Sequence, residues 1–168
     1  MKPRLALLVV VLAGAVRAQD GGVVNPLHGT WKLDLGASSD VAPALDHFDA
    51  NFFIRSFAKS VTPTNVITFD ADRFKLEVQA PMYSRVTTVV LDGRTVTADE
   101  MFGNPYTYTS TLDGGVVVST GTVTVKGVKE RLELRRQVAP SGQMVLETDV
   151  YPPKGDAVHV KRVFNRVK

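Results

Sequence analysis

The chain has 168 residues, among them 20 lysines and arginines, 17 aspartates and glutamates, and no cysteine. Without cysteine it has neither a disulfide framework nor a thiolate metal site. Three of the basic residues and none of the acidic ones lie in residues 1–18, so residues 19–168 carry no net charge. Bulk charge therefore points to neither a nucleic-acid nor an anionic-membrane partner.

Residues 1–18 have the pattern of a secretory signal peptide. Lys2 and Arg4 precede an unbroken apolar run from Leu5 to Leu12, and small residues follow at the positions that a signal peptidase reads. The run is too short to span a bilayer as a permanent helix, and an anchor that is never cut is the weaker alternative. The sequence predicts a cleaved signal peptide over 1–18 and a loose leader over 19–26. The mature protein is then exported, periplasmic or secreted, without a permanent membrane anchor.

Residues 27–168 are predicted to form one domain that opens with a strand and a helical stretch. Polar and apolar residues alternate from Gly29 to Leu35, which is typical of a strand with one buried face. Apolar residues then recur at helical spacing until shortly before Pro63, and Ser39 or Asp40 is placed to cap this helical stretch.

From Asn65 onward the apolar period changes to two and stays there. Glycine, proline and aspartate separate successive runs, which is the pattern of strands joined by tight turns. The strands predicted here are 65–69, 73–79, 85–91, 95–100, 106–112, 116–125, 129–138, 143–151 and 157–167. With the first strand this gives a mainly β fold, an antiparallel up-and-down barrel of about ten strands with a short helical lid inserted between strands one and two.

Six short motifs follow one another along the chain: Gly29-Thr30-Trp31-Lys32-Leu33, His47-Phe48-Asp49, Thr62-Pro63-Thr64-Asn65-Val66-Ile67, Leu112-Asp113-Gly114-Gly115, Leu134-Arg135-Arg136-Gln137-Val138 and Arg162-Val163-Phe164. Together they resemble the motifs of the fatty-acid-binding protein family within the calycin group. The resemblance implies a barrel that binds a fatty acid. The chain departs from the family in its export signal, in a longer spacer before His47, and in Phe164, which replaces a tyrosine hydroxyl. The related lipocalins have eight strands and a helix after the barrel, an order that this chain does not follow.

Two arginines are predicted to point into the barrel. Arg136 alternates with Leu134 and Val138, and Arg162 alternates with Val160 and Phe164, so each arginine shares an apolar face. A buried guanidinium is costly without an anionic partner, and a ligand carboxylate is one such partner. The alternative is that one of them stacks on Trp31, or pairs with an internal acid, and so latches the barrel.

The helical lid and one strand turn supply further candidates. Phenylalanines of the lid either line a mobile cover or anchor the helices, and Met82 lies in a turn that faces the same opening in the family. His159 faces outward by strand alternation, which argues against a haem site. No catalytic, metal-binding or cofactor motif is present. The predicted ligand-binding residues are Arg136, Arg162, Phe164, Phe48, Phe52, Met82 and Trp31.

These observations support two classes of function. The leading hypothesis is a monomeric, non-enzymatic carrier that binds a fatty acid or similar small amphiphile, with its head group at the two arginines and its tail along Leu132, Leu134 and Leu146. The alternative is an exported interaction module whose barrel interior is packed and holds no ligand. An enzyme acting on an apolar substrate ranks third, because no catalytic motif appears.

Overall fold

The computed structural model describes residues 25–167 except Ala71 and Met82, and gives residues 96–99 as backbone alone. The predicted signal peptide and most of the predicted leader lie outside these residues, so both stay predictions. Neither helix within the described part is long or apolar enough to cross a bilayer.

Ten antiparallel strands form one sheet that curls into a nearly closed barrel. The strands are β1 Gly29–Asp34, β2 Thr64–Asp70, β3 Arg73–Ala80, β4 Tyr83–Val90, β5 Asp92–Met101, β6 Asn104–Asp113, β7 Val116–Val125, β8 Val128–Val138, β9 Met144–Tyr151 and β10 Val158–Arg166. Strands β1 to β4 pair in sequence order, strands β5 to β10 do the same, and β1 also pairs with β10. Among these strands, β4 and β5 are the two sequence neighbours without a ladder between them. We call this gap the seam. The predicted fold class is confirmed.

The helical stretch is split into α1, Ala42–His47, and α2, Phe52–Ser60. The break comes at Asp49, which adopts a left-handed φ of 54°. The cap of α1 differs from the prediction, because Val41 occupies the N-cap position and makes no side-chain cap bond. Asp40 lies one residue earlier and accepts a bond from the Ala42 amide at 2.9 Å. Asn51 caps α2 by accepting from the Ile54 amide at 3.0 Å, as expected of a residue that favours this position.

Polar side chains fasten the two helices over one end of the barrel. The Arg55 guanidinium donates to the carbonyl oxygens of Ala50 at 2.6 Å and Leu45 at 3.0 Å, which joins α2 to α1. The Asn104 amide donates to the Phe48 carbonyl at 3.0 Å, which joins the β5–β6 turn to α1. At the end of α1, His47 Nε2 lies 2.6 Å from a carboxylate oxygen of Glu130, a buried residue of β8. The helices are therefore bound to the barrel by specific contacts as well as by apolar packing.

Two apolar clusters occupy the barrel interior. The first, the floor cluster, lies at the end away from the helices and consists of Leu27, Trp31, Leu33, Ile67, Phe74, Val89, Tyr108, Val117, Met144 and Phe164. The second, the helix-end cluster, packs α1 against β7, β8 and β9 and consists of Ala44, Phe48, Val123, Val125, Leu132 and Val150. Burial of apolar surface in these clusters is the main stabilising contribution expected in a chain without disulfides.

Trp31 anchors the floor cluster. Its indole Nε1 donates to the Leu27 carbonyl at 2.8 Å, and its ring is completely buried. The guanidinium that stacks on it, 4.1 Å from the ring centroid, belongs to Arg166 and to neither of the inward arginines. Arg166 also donates to the carbonyls of His28 at 2.9 Å and Pro26 at 2.7 Å. The arginine that stacks on Trp31 is therefore Arg166, which lies opposite Trp31 in the β1–β10 register, and not Arg136 or Arg162 as the alternative prediction had it.

Candidate ligand-binding cavity

A cavity of about 270 Å³ lies inside the barrel, against β3 and β4. Its wall is formed by Phe74, Leu76, Val78, Tyr83, Arg85, Thr87, Val89, Glu100, Tyr106, Tyr108, Val117, Ser119, Leu134, Arg136 and Leu146. Most of this wall is aliphatic or aromatic, with a few polar groups that converge on one space. Such a wall is the usual composition of a small-molecule site.

Arg136 is the charged group set most deeply in this wall. Strand alternation in β8 turns it inward beside Leu134, as predicted. Its Nε atom is enclosed and, among the described residues, has no hydrogen-bond partner. Its guanidinium carbon lies 5.1 Å from the centre of the Phe74 ring, which provides a weak cation–π contact. Burial lowers the pKa of Arg136 to about 10, and the nearby Tyr106 opposes this shift. The side chain is therefore still charged at neutral pH, and one of its donors is unpaired.

Two stacked tyrosines line the same cavity as Arg136. Tyr106 and Tyr108 are two residues apart in β6, so both point inward, and their ring centroids lie 5.2 Å apart. Burial raises the pKa of Tyr106 to about 12, with a smaller contribution from Tyr108, while Arg85 and Arg136 act in the opposite direction. Burial likewise raises the pKa of Tyr108. Both hydroxyls stay protonated at neutral pH and are neutral groups beside a cation.

The rim of the cavity lies at the seam. Of the lining residues only Tyr83, Arg85 and Glu100 are exposed, and they belong to β4 and β5. Tyr83 also meets the Phe57 ring of α2 edge-on, with 5.7 Å between the centroids. The cavity therefore reaches solvent where the ladder between β4 and β5 is missing, at a rim that carries charge of both signs.

Not all of the predicted site residues lie on the cavity wall. Arg136 lines the cavity together with Leu134 and Leu146, two of the three residues predicted to hold the tail. Arg162 is half-buried opposite Leu146 in the β9–β10 register, but it is not part of the cavity wall. Burial lowers the pKa of Arg162 as well. Of the two predicted arginines, Arg136 is thus the one that meets the enclosed space.

The remaining predicted residues lie around the cavity. Trp31 and Phe164 belong to the floor cluster, behind the wall. Phe48 is 3% exposed in the helix-end cluster, whereas Phe52 is 76% exposed on the first turn of α2. Met82 lies outside the described residues. The roles of these residues toward a ligand stay predictions.

Sequence reasoning did not single out Tyr106, Tyr108 or Glu100. A signal for the tyrosines was present, because Tyr106, Tyr108 and Ser110 alternate on one face of a predicted strand. Ser110 is fully buried, and its hydroxyl meets that of Ser119 at 2.6 Å, which continues the polar inner face toward the floor cluster. His159, predicted to face outward, is exposed and meets an Asp149 carboxylate oxygen at 2.7 Å.

Comparison with known proteins shows a likeness in structure. No protein-family model matches the chain, and no curated protein sequence matches it either. The solved structure of a fatty acid transporter, REP1-NXSQ, is 20% identical, with a TM-score of 0.69 over 84% of this chain and 96% of that one. Apo lipid binding protein 8 of Caenorhabditis elegans is 17% identical, with a TM-score of 0.69 over 84% and 96%. Fatty-acid-binding protein 1 of Echinococcus granulosus is 16% identical, with a TM-score of 0.65 over 85% and 98%. The predicted resemblance is confirmed at the level of fold.

Proposed function

We propose that this protein binds a small amphiphile with a carboxylate head group inside its barrel, and that it is a carrier without catalytic activity. The observation that carries this proposal is the enclosed Arg136 Nε, which lies on the cavity wall and has no hydrogen-bond partner within the described part of the chain. A buried donor on a charged group costs free energy until an acceptor reaches it. A carboxylate in the cavity supplies both that acceptor and the opposite charge.

The wall explains why the ligand is amphiphilic. Leu76, Val78 and Leu134 offer apolar surface next to Arg136, so a ligand with one charged end and one apolar end satisfies both kinds of surface. The protonated hydroxyls of Tyr106 and Tyr108 add neutral donors near the charged end. Support also comes from the solved structures of the same fold, whose names describe fatty-acid and lipid binding.

Export is a further part of the proposal. The basic start, apolar run and small residues of segment 1–18 support a cleaved signal peptide, so the carrier would act in a periplasm or outside the cell. N-terminal sequencing of the protein purified from its own host tests this. A mature chain that begins at residue 19 is the expected result, and a chain that still begins at Met1 would contradict it.

The binding test compares decanoic acid with decanol by isothermal titration calorimetry. We expect the protein to prefer the acid, and Arg136→Met to weaken acid binding about 10- to 100-fold while leaving alcohol binding nearly unchanged. Arg135→Met is the matched control, because Arg135 is the neighbouring arginine on the outer face of β8 and is 45% exposed. Unchanged acid binding by Arg136→Met would contradict the assignment of the head group to Arg136.

One group of observations favours the interaction module as a second candidate. The helix-end cluster already fills part of the interior, and Phe52 and Phe53 are 76% and 82% exposed on the outside of α2. Native mass spectrometry of protein taken from its own host without delipidation separates the two functions. A species that leaves on organic extraction supports the carrier. A clean apo mass together with no uptake of added acids supports the interaction module.

A further inference from the structure

The stacked tyrosines bring two further polar groups to the cavity wall, besides Arg136. Tyr106 and Tyr108 both line the cavity, and the planes of their rings differ by 21°. Within the part of the chain that the structure describes, neither hydroxyl takes part in a hydrogen bond. Phenylalanines at both positions would give the wall the same apolar rings, so packing alone does not account for the two hydroxyls.

Other hydroxyls of β6 already have partners on β7. On the inner face, the Ser110 hydroxyl meets that of Ser119 at 2.6 Å. On the outer face, the Thr107 hydroxyl meets that of Thr122 at 3.2 Å. Cross-strand pairs of this kind satisfy both hydroxyls without a ligand. The tyrosine hydroxyls differ because the long side chains carry them away from the sheet and into the space that a ligand would enter.

A plain fatty acid is a poor match for this part of the wall. As its saturated chain fills the cavity, it removes water from the hydroxyls of Tyr106 and Tyr108 and offers them no acceptor. A hydroxyl that leaves water without gaining a hydrogen bond pays a desolvation penalty, which lowers the affinity for the chain. A ligand with an oxygen atom at this place avoids the penalty.

The tyrosines and the proposed carboxylate position are neighbours. Arg136 opposes the rise in the pKa of Tyr106, and both side chains line the same cavity, so the guanidinium and this hydroxyl lie near each other. An oxygen atom that reaches the tyrosines therefore belongs on the part of the ligand chain that is close to the carboxylate.

We propose that Tyr106 and Tyr108 form a second polar subsite, which selects amphiphilic acids that carry a hydroxyl group near the carboxylate over plain fatty acids. This inference rests on the proposed function and specifies its ligand. A hydroxyl group can accept a hydrogen bond from a tyrosine and donate one, so it replaces the water that a saturated chain would remove. The subsite acts on the polar end of the ligand and sets no limit on the length of its tail.

Calorimetry compares decanoate with both enantiomers of 2-hydroxydecanoate and 3-hydroxydecanoate, and with 10-hydroxydecanoate. We expect at least one of the 2- and 3-hydroxy acids to bind about 10- to 100-fold more tightly than decanoate. A wall without a polar subsite would favour decanoate instead, because burial of the ligand hydroxyl is costly. Decanoate binding without this preference, or with a preference for 10-hydroxydecanoate alone, would overturn the inference and leave the proposed function intact. Absence of binding by every acid would overturn the proposed function.

Tyrosine variants assign the preference to the two hydroxyls. Tyr106→Phe and Tyr108→Phe each remove one oxygen and keep the ring, so we expect the affinity ratio of hydroxy acid to decanoate to fall about 10-fold in at least one of them. The affinity for decanoate itself should stay level or rise. Tyr151→Phe is the matched control, because the Tyr151 ring lies 3.7 Å from the Arg131 guanidinium on the outer face of the barrel. A ratio that persists in both single variants and in the double variant would overturn the inference.

Discussion

The two sides of the barrel interior share strands β7, β8 and β9 but differ in composition and packing. The helix-end cluster is apolar throughout, and Phe48 closes it from above. The cavity side is open, contains two tyrosines, and holds a guanidinium whose Nε has no partner among the described residues. A packed apolar region supplies stability, whereas an unfilled region with an unpaired charge lowers it. The proposed ligand would fill this region and supply the missing partner.

The largest expected effect on stability comes from a substitution in the helix-end cluster. Phe48→Ala should lower the free energy of unfolding by about 3–5 kcal/mol, because it leaves a void among buried aliphatic side chains. Denaturant unfolding measures the change. Phe53→Ala, at an 82% exposed site on α2, is the matched control and should stay within about 0.5 kcal/mol of the wild type. Equal losses in the two variants would mean that the helix-end cluster is not the stabilising side.

A smaller effect of opposite sign is expected on the cavity side. Arg136→Met should raise the free energy of unfolding at pH 7 by about 1–3 kcal/mol, because the folded state no longer holds a buried charge without an acceptor. The pKa of Arg136 is about 10 in the folded protein against an ordinary 12.5, so the unfolded chain binds more protons between these values. The unfolding free energy of the wild type therefore gains a contribution that rises with pH through this window.

The Arg136→Met variant should lack that rise. Unfolding measured at pH 7 and again above pH 10 checks both statements, with Arg135→Met as the control that keeps the wild-type dependence. A loss of stability at neutral pH in Arg136→Met would show that the guanidinium already has its partner inside the protein.

The smallest expected effect concerns Tyr106. Its pKa is raised from 10.0 to about 12, so the folded state holds a proton that the unfolded chain releases, and wild-type stability loses a contribution as pH rises through this range. Tyr106→Phe should remove this loss, a change on the order of 1 kcal/mol after solvent screening. It should also diminish the late phase of tyrosinate absorbance in an alkaline titration. Tyr151→Phe is the control, and an unchanged late phase in Tyr106→Phe would be evidence against a buried Tyr106 hydroxyl.

The fold could be predicted from the sequence because its signals are local. Alternation with a period of two, and glycines and aspartates between the runs, set the strands and their order, and Arg136 was assigned to the inner face by the same alternation. Alternation does not report position along the barrel axis, however. It could not separate Arg136, on the cavity wall, from Arg162, which shares an inner face but lies outside that wall.

What the sequence did not predict correctly also has specific physical causes. The stacking of Arg166 on Trp31 depends on the register between the first and last strands, which no local pattern encodes. Phe52 was grouped with Phe48 by counting one continuous helix, but the left-handed Asp49 interrupts the count and turns Phe52 toward solvent. Tyr106 and Tyr108 were not identified because β6 alternates them with threonines, which favour strands equally.

The seam also exposes two strand edges at which another copy of the protein could pair. Because β4 and β5 lack a shared ladder, each leaves backbone donors and acceptors that a strand of another molecule could extend. The register of β5 against β6 is interrupted twice, between Asp92 and Thr95 and between Thr97 and Asp99. Such irregularities twist an edge away from flat pairing, and the exposed side chains of Arg85 on β4 and Arg94 on β5 keep the two edges hydrated. The opening through which the proposed ligand would enter thus also has features that disfavour edge-to-edge pairing.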